Sequence, residues 1–177
     1  MKTNLQKPKW GVKTEWVPIE QLPTTPSGIK EIAIDLETKD PRLKSHGPGW
    51  PTGNGDVVGI AVAYEGFNAY LPFAHEGGGN LDRGIVLRWF QKEIANHPSD
   101  KIFYNAAYDV GWLKRLDVDL KGRWIDVMLG APLLNENRFS FSLNTVAYDY
   151  LGEMKSEAAL REAAQEFGVD PKGELYK

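Results

Sequence analysis

Residues 31–37, Glu-Ile-Ala-Ile-Asp-Leu-Glu, alternate strictly in character. Ile32, Ile34 and Leu36 would occupy one face of a β-strand, and Asp35 and Glu37 the other. Side chains two apart on a strand share a face, so the two carboxylates stand side by side. Like charges that close repel each other, and each would be penalised by burial without a partner. A divalent cation would remove both penalties. An open, hydrated strand face or a nearby Lys or Arg would do the same.

Composition narrows the setting. The chain has 177 residues, enough for one domain with a sizeable core. Apolar residues make up 42% and charged residues 25%, the balance of an ordinary globular protein. Absence of cysteine excludes disulfides and thiolate metal sites and suits a reducing cytoplasm. The three histidines, His46, His75 and His97, are widely separated, which argues against a histidine zinc site. No apolar run approaches the roughly 20 residues that span a bilayer, so no membrane partner is expected. The basic N-terminus lacks the apolar core of a secretory signal. A net charge of −3 disfavours a protein that wraps a long duplex non-specifically.

Residues 1–29, rich in Pro and Lys, read as an N-terminal arm anchored by Trp10 and Trp16, ahead of a domain over 30–177. After the strand at 31–37, the segment 39–56 reads as a long Pro/Gly loop. Residues 57–64 and 67–73 form strands around a Glu65-Gly66 turn. Asn80 is placed to cap a helix over 81–96, with Ile85, Trp89, Phe90 and Ile94 as its buried stripe. A strand at 101–105 leads into a helix over 106–116. A short strand at 123–126 precedes helices at about 127–136, 142–151 and 156–167. Pro132 implies a kink or late start in the first of these. Leu143, Val146, Ala147, Tyr150 and Leu151 follow the helical repeat in the second, as do Leu160, Ala163, Ala164 and Phe167 in the third, with Gly168 ending it. The expected fold is α/β. It is a mixed five-stranded sheet, with an antiparallel meander plus parallel strands, flanked by helices and similar in outline to the ribonuclease H architecture.

A third acid sharpens the question. Asp109 lies in the first turns of its helix, and its helical neighbours at 112, 113 and 116 are Trp, Leu and Leu. A carboxylate flanked by that stripe also needs a partner. Its helix follows a strand directly, and ligands of open α/β sheets gather at the carboxyl ends of strands. Asp35, Glu37 and Asp109 can therefore converge, and oxygen-only ligands suit Mg²⁺ or Mn²⁺.

The Asp-Leu-Glu at 35–37, followed by Asn-Ala-Ala-Tyr-Asp at 105–109, resembles the first two motifs of the DEDD superfamily of 3′–5′ exonucleases. The stretch 124–152 resembles the region after the second motif in the proofreading domain of phage-type family A DNA polymerases. The resemblance covers about residues 28–170. It implies two metal ions roughly 3.5–4 Å apart flanking the scissile phosphate. By that likeness Asp35 would bridge both ions, Glu37 would hold the one that activates water, and Asp109 would serve the second. The substrate would be the 3′ end of single-stranded DNA, the product a nucleoside monophosphate, and a polymerase domain would follow in the native gene. Thr38, Asn105 and Tyr108 match positions that contact substrate. Asn105 could equally cap its helix, and a tyrosine in the position of Tyr108 is more often core than contact. Phe73, Phe139 and Phe141 are candidates for base stacking or for plain core. Asp126 reads as an N-cap before Val127, and the glycines at 77–79 as a flexible turn.

The superfamily's third motif, Tyr-x3-Asp or His-x4-Asp, occurs nowhere in this chain. In that family it lies beyond the last matched helix, so the domain is expected to stop short of it, with weakened metal affinity and hydrolysis. Asp149, Asp170 and Glu174 are possible substitutes. Two other readings stay open: a non-catalytic nucleic-acid or protein interaction domain of the same fold, and an exonuclease of the superfamily that acts on RNA.

Overall fold

The computed structural model describes residues 1–7, 17–153, 158–170 and 176, with backbone alone for 158–160. Trp10, Trp16 and Glu174, and the side chain of Leu160, lie outside the described residues. Within it, β1 (Glu31–Lys39), β2 (Asp56–Tyr64) and β3 (Phe67–Pro72) form the antiparallel meander. β4 (Asp100–Phe103) and β5 (Trp124–Asp126) add parallel members, in the order β3-β2-β1-β4-β5. The expected mixed five-stranded sheet is present.

Helices fill the connections. α1 (Leu43–His46) is a single turn inside the 39–56 segment, which sequence pattern reads as loop throughout. α2 (Arg83–Trp89) follows β3, and α3 (Ala106–Arg115) follows β4. α4 (Val127–Leu134) contains Pro132, and α5 (Leu143–Leu151) and α6 (Ala158–Phe167) complete the order.

The core forms beneath one face of the sheet. Ile32, Ile34 and Leu36 of β1, Val57, Ile60 and Val62 of β2, and Leu71 of β3 are buried there. Val86, Trp89, Phe90 and Ile94 meet them from the helix after β3, and Val110, Trp112 and Leu113 from α3. Burying a side chain of this size stabilises the fold by about 1.5–3 kcal/mol. The opposite face of β1 carries Ala33 and Asp35, both exposed, and Glu37, half-buried.

Several local expectations are corrected. The helix after β3 starts two residues later than the pattern suggests, because Asp82, not Asn80, supplies the cap by accepting from Ile85 N at 2.8 Å. Asn80 is buried and holds the preceding loop instead, accepting from His75 N and donating to His75 O, each at 2.8 Å. The continuation Phe90–Ala95 is π-helical, and in the α-helical part before it Val86 is core while Ile85 is only half-buried. β4 ends at Phe103, two residues early, because Asn105 already turns into α3. On α5, Val146 alone is buried, Ala147 is half-buried, and Leu143, Tyr150 and Leu151 are exposed, since no described element covers them. On α6, Ala164 is buried and Ala163 half-buried, while Phe167 is exposed. Gly168, at φ 65°, ends that helix as its position suggests.

Away from the open face, Lys101 of β4 is fully buried. Its ammonium donates to His97 O and Ser99 O at 2.8 Å and to Lys121 O at 2.9 Å. It ties together the two loops at the amino end of β4. Among the described residues, no helix is long and apolar enough to cross a membrane.

Candidate active site

The site forms where β1 and β4 part. Their parallel pairing runs from Glu31–Asp100 to Ala33–Ile102, after which β4 gives way to α3. β1 continues to Lys39 without a neighbour on that side, so its backbone donors need other acceptors. Asp109 fills the gap: its Oδ1 accepts from Leu36 N at 3.0 Å. Leu36 stands between Asp35 and Glu37, so this bond holds the helix-borne carboxylate against the strand-borne pair.

The electrostatics follow from that packing. Asp109 is 4% exposed. Burial pushes its carboxyl up to about 7, and the negative charges of Asp35 and Glu37 push the same way against the Leu36 hydrogen bond. The three acids thus share one electrostatic environment in which the third ionises with difficulty. Their oxygen-only donor set suits a hard divalent cation, which would relieve that repulsion. As they lie, no three His, Asp or Glu side chains among the described residues form a compact metal cage.

The residues expected to meet substrate divide. Asn105 has an exposed side chain and a left-handed backbone, φ 71° and ψ 57°, and makes no capping hydrogen bond. Cap duty falls to Asp126, which Phe103–Asp126 pairing brings beside the end of β4. Its Oδ1 accepts from Asn105 N at 3.0 Å and Met128 N at 2.9 Å, and its Oδ2 from Ala106 N at 2.8 Å. One carboxylate therefore serves the amino ends of α3 and α4, where helix dipoles favour negative charge. Thr38 and Tyr108 meet each other: their hydroxyls are 2.7 Å apart, and Tyr108 also donates to Asp40 Oδ2 at 3.2 Å. A bulge in the β1–β2 ladder between Glu37 and Thr38 bends the strand end at this point.

Of the stacking candidates, Phe73 is core, Phe139 fully exposed and Phe141 half-buried. Tyr104 donates to the carbonyl of Phe141, joining the carboxyl end of β4 to the segment before α5. Asp149, considered as a substitute acid, is paired with Arg138.

An open cleft of about 690 Å³ runs over the sheet face beside Asp35. Its floor consists of Ala33, Ala61 and Ala63, and Tyr70, Tyr104 and Asn144 stand among its walls. Tyr70 was not legible as a site residue from pattern alone. The two-residue Glu65-Gly66 turn pairs it with Ala61, and Ala61 pairs with Asp35, which places all three in one row across the sheet.

Comparison with known proteins bears on the family and the fold. A family model described as 3′-5′ exonuclease matches residues 18–167. A DNA-directed DNA polymerase of Pseudomonas phage M6 is 36% identical over 171 residues, 93% of this chain and 26% of that protein, so the chain spans about a quarter of its relative's length. Among solved structures, Escherichia coli RNase D, an exoribonuclease involved in structured RNA processing, superposes with a TM-score of 0.52 at 15% identity, over 75% of this chain and 30% of that one. Brucella melitensis NrnC with bound Mg²⁺ gives 0.53 at 12% identity, over 86% and 83%. These likenesses support the ribonuclease H-like fold. From its matched sequence and its sheet, the chain belongs to the 3′-5′ exonuclease family, in the form found in family A DNA polymerases.

Proposed function

We propose that this domain removes nucleotides from the 3′ end of single-stranded DNA as the proofreading part of a phage-type family A polymerase, with Mg²⁺ or Mn²⁺ held by Asp35, Glu37 and Asp109. The observation that carries the reading is the Asp109 carboxylate fastened to Leu36 N between the two strand-borne acids. When bound, the two ions supply a lowered pKa for attacking water and charge stabilisation at the scissile phosphodiester.

The chain's own residues do the rest. The alanine floor of the cleft lets a nucleotide approach the sheet closely beside Asp35. Thr38 and Tyr108 brace the end of β1, so Glu37 is presented from a rigid strand rather than a loop end. Asn105, exposed on its left-handed turn, is available to hydrogen-bond the substrate backbone. Asp126 holds that turn from below and leaves the cation to the other three acids. The chain's 26% share of its phage relative supports a polymerase domain as covalent partner in the native protein.

The test is Mn²⁺-dependent release of nucleoside monophosphates from a 3′-labelled single strand. Slow release that Asp35→Ala abolishes supports the proposal. Release that survives Asp35→Ala refutes it. Robust release by the wild-type chain would show that the third motif is dispensable. The alternative reading is a non-catalytic interaction domain of the same fold. Titration with Mn²⁺ separates the two, because an interaction domain need not bind the ion.

A further inference from the structure

The face that carries Asp35 and Glu37 also presents a tyrosine hydroxyl. Tyr70 lies in the same cross-strand row as Asp35, through Ala61. Its ring leans diagonally over Gly59, where a Cβ would collide with the hydroxyl and the ring. Gly59 is the cross-strand partner of Glu37. The missing side chain at residue 59 therefore makes room for a hydroxyl about one strand spacing, roughly 4.8 Å, from the Glu37 row.

That hydroxyl is itself aligned. It hydrogen-bonds His75 Nε2. His75 sits in the loop after β3, where buried Asn80 grips both its N–H and its carbonyl, and Asn80 in turn donates to Gln6. An ordinary phenol, with a pKa of about 10, carries its proton at neutral pH and can donate it.

We propose that Tyr70, aligned by His75, is a positioning residue for Glu37: in the cation-bound site its hydroxyl donates to the Glu37 carboxylate. This deepens the reading of the acids as cation ligands and rests on it. The proton count sets the direction. A carboxylate can only accept, so the single phenolic proton goes to Glu37 and His75 presents Nε2–H to the phenol oxygen. The order His75, Tyr70, Glu37 is a polarised relay that fixes the rotation of a ligating carboxylate. Removal of such outer partners typically weakens metal affinity or activity by roughly 10–100-fold.

The experiment measures the Mn²⁺ dissociation constant by electron paramagnetic resonance on the full chain. Melting temperature in EDTA is recorded for the same variants. Tyr70→Phe keeps the ring over Gly59 and removes only the hydroxyl; it should weaken Mn²⁺ binding about tenfold or more with an unchanged melting temperature. His75→Leu should weaken binding in the same direction, and His75→Gln, which retains an N–H donor, should recover most of the loss. Mn²⁺ affinity of Tyr70→Phe within twofold of wild type overturns the inference. So does an affinity loss that tracks a fall in melting temperature and is not recovered by His75→Gln, because that pattern marks a structural role. If the wild-type chain binds no Mn²⁺, the cation reading of the acids fails and takes this inference with it.

Discussion

Asp109 makes stability depend on pH in a direction opposite to that of most carboxylates. Its folded pKa is about 7, whereas the ordinary value is 3.8. Between those values the folded state binds more protons than the unfolded state, so stability falls as pH rises from about 4 through 7. The displacement is roughly three pH units at about 1.4 kcal/mol each, which puts the loss near 4 kcal/mol. Asp109→Asn keeps an Oδ1 acceptor for Leu36 N and removes the charge. In EDTA the variant should match wild type near pH 4 and exceed it by up to about 4 kcal/mol at pH 7.5. With a urea slope of about 2 kcal/mol per molar, the midpoint difference is about 2 M. The assay is urea unfolding across pH 4–8, followed by circular dichroism, for both proteins. Adding Mn²⁺ at pH 7.5 should raise the wild-type midpoint more than that of the variant, because the ion stabilises the charged carboxylate. Parallel pH curves for the two proteins would refute the claim that Asp109 is strained by burial and by Asp35 and Glu37.

Other perturbations test the frame around the site. Asp126→Ala removes one carboxylate from the amino ends of both α3 and α4; at about 1 kcal/mol or more per lost cap, it should destabilise the chain by about 2–3 kcal/mol in urea titration, and Asp126→Asn by less. Lys101→Met leaves three carbonyls without their donor, those of His97 and Ser99 in buried bonds, and should cost about 3 kcal/mol or more, seen as a clear drop in melting temperature. Gly111→Ala drives a methyl into the Trp50 indole packed on α3 and should destabilise by about 1–3 kcal/mol, with a change in tryptophan fluorescence as Trp50 moves.

How much of this was legible beforehand differs by element. Alternation in β1 placed Ile32, Ile34 and Leu36 in the core and left Asp35 and Glu37 on the other face, because a period of two admits one arrangement when one face must be buried. The meander, the parallel strands and the apolar flank of Asp109 were likewise local or short-range properties. The capping residues were less so. Asp126 caps α4 as its place before Val127 suggests, yet Asn80 and Asn105, which have the chemistry of N-caps, give way to Asp82 at α2 and to the same Asp126 at α3, since the winner depends on which oxygen reaches the free N–H groups in three dimensions. The exposed stripe of α5 shows the same limit: periodicity identifies an apolar face but not what lies against it.

From order and spacing alone, the chain was committed to a mixed sheet with two acids adjacent on β1 and a third at the start of α3. Tertiary structure decided that β1 outruns β4, and so Leu36 N is left for Asp109 to accept from. It also decided the register that sets Tyr70 beside Asp35 and over Gly59. The reason is range. Side-chain alternation is a property of consecutive residues, whereas strand ends, registers across a long loop and helix–strand hydrogen bonds are settled only when distant segments compete for the same donors and space.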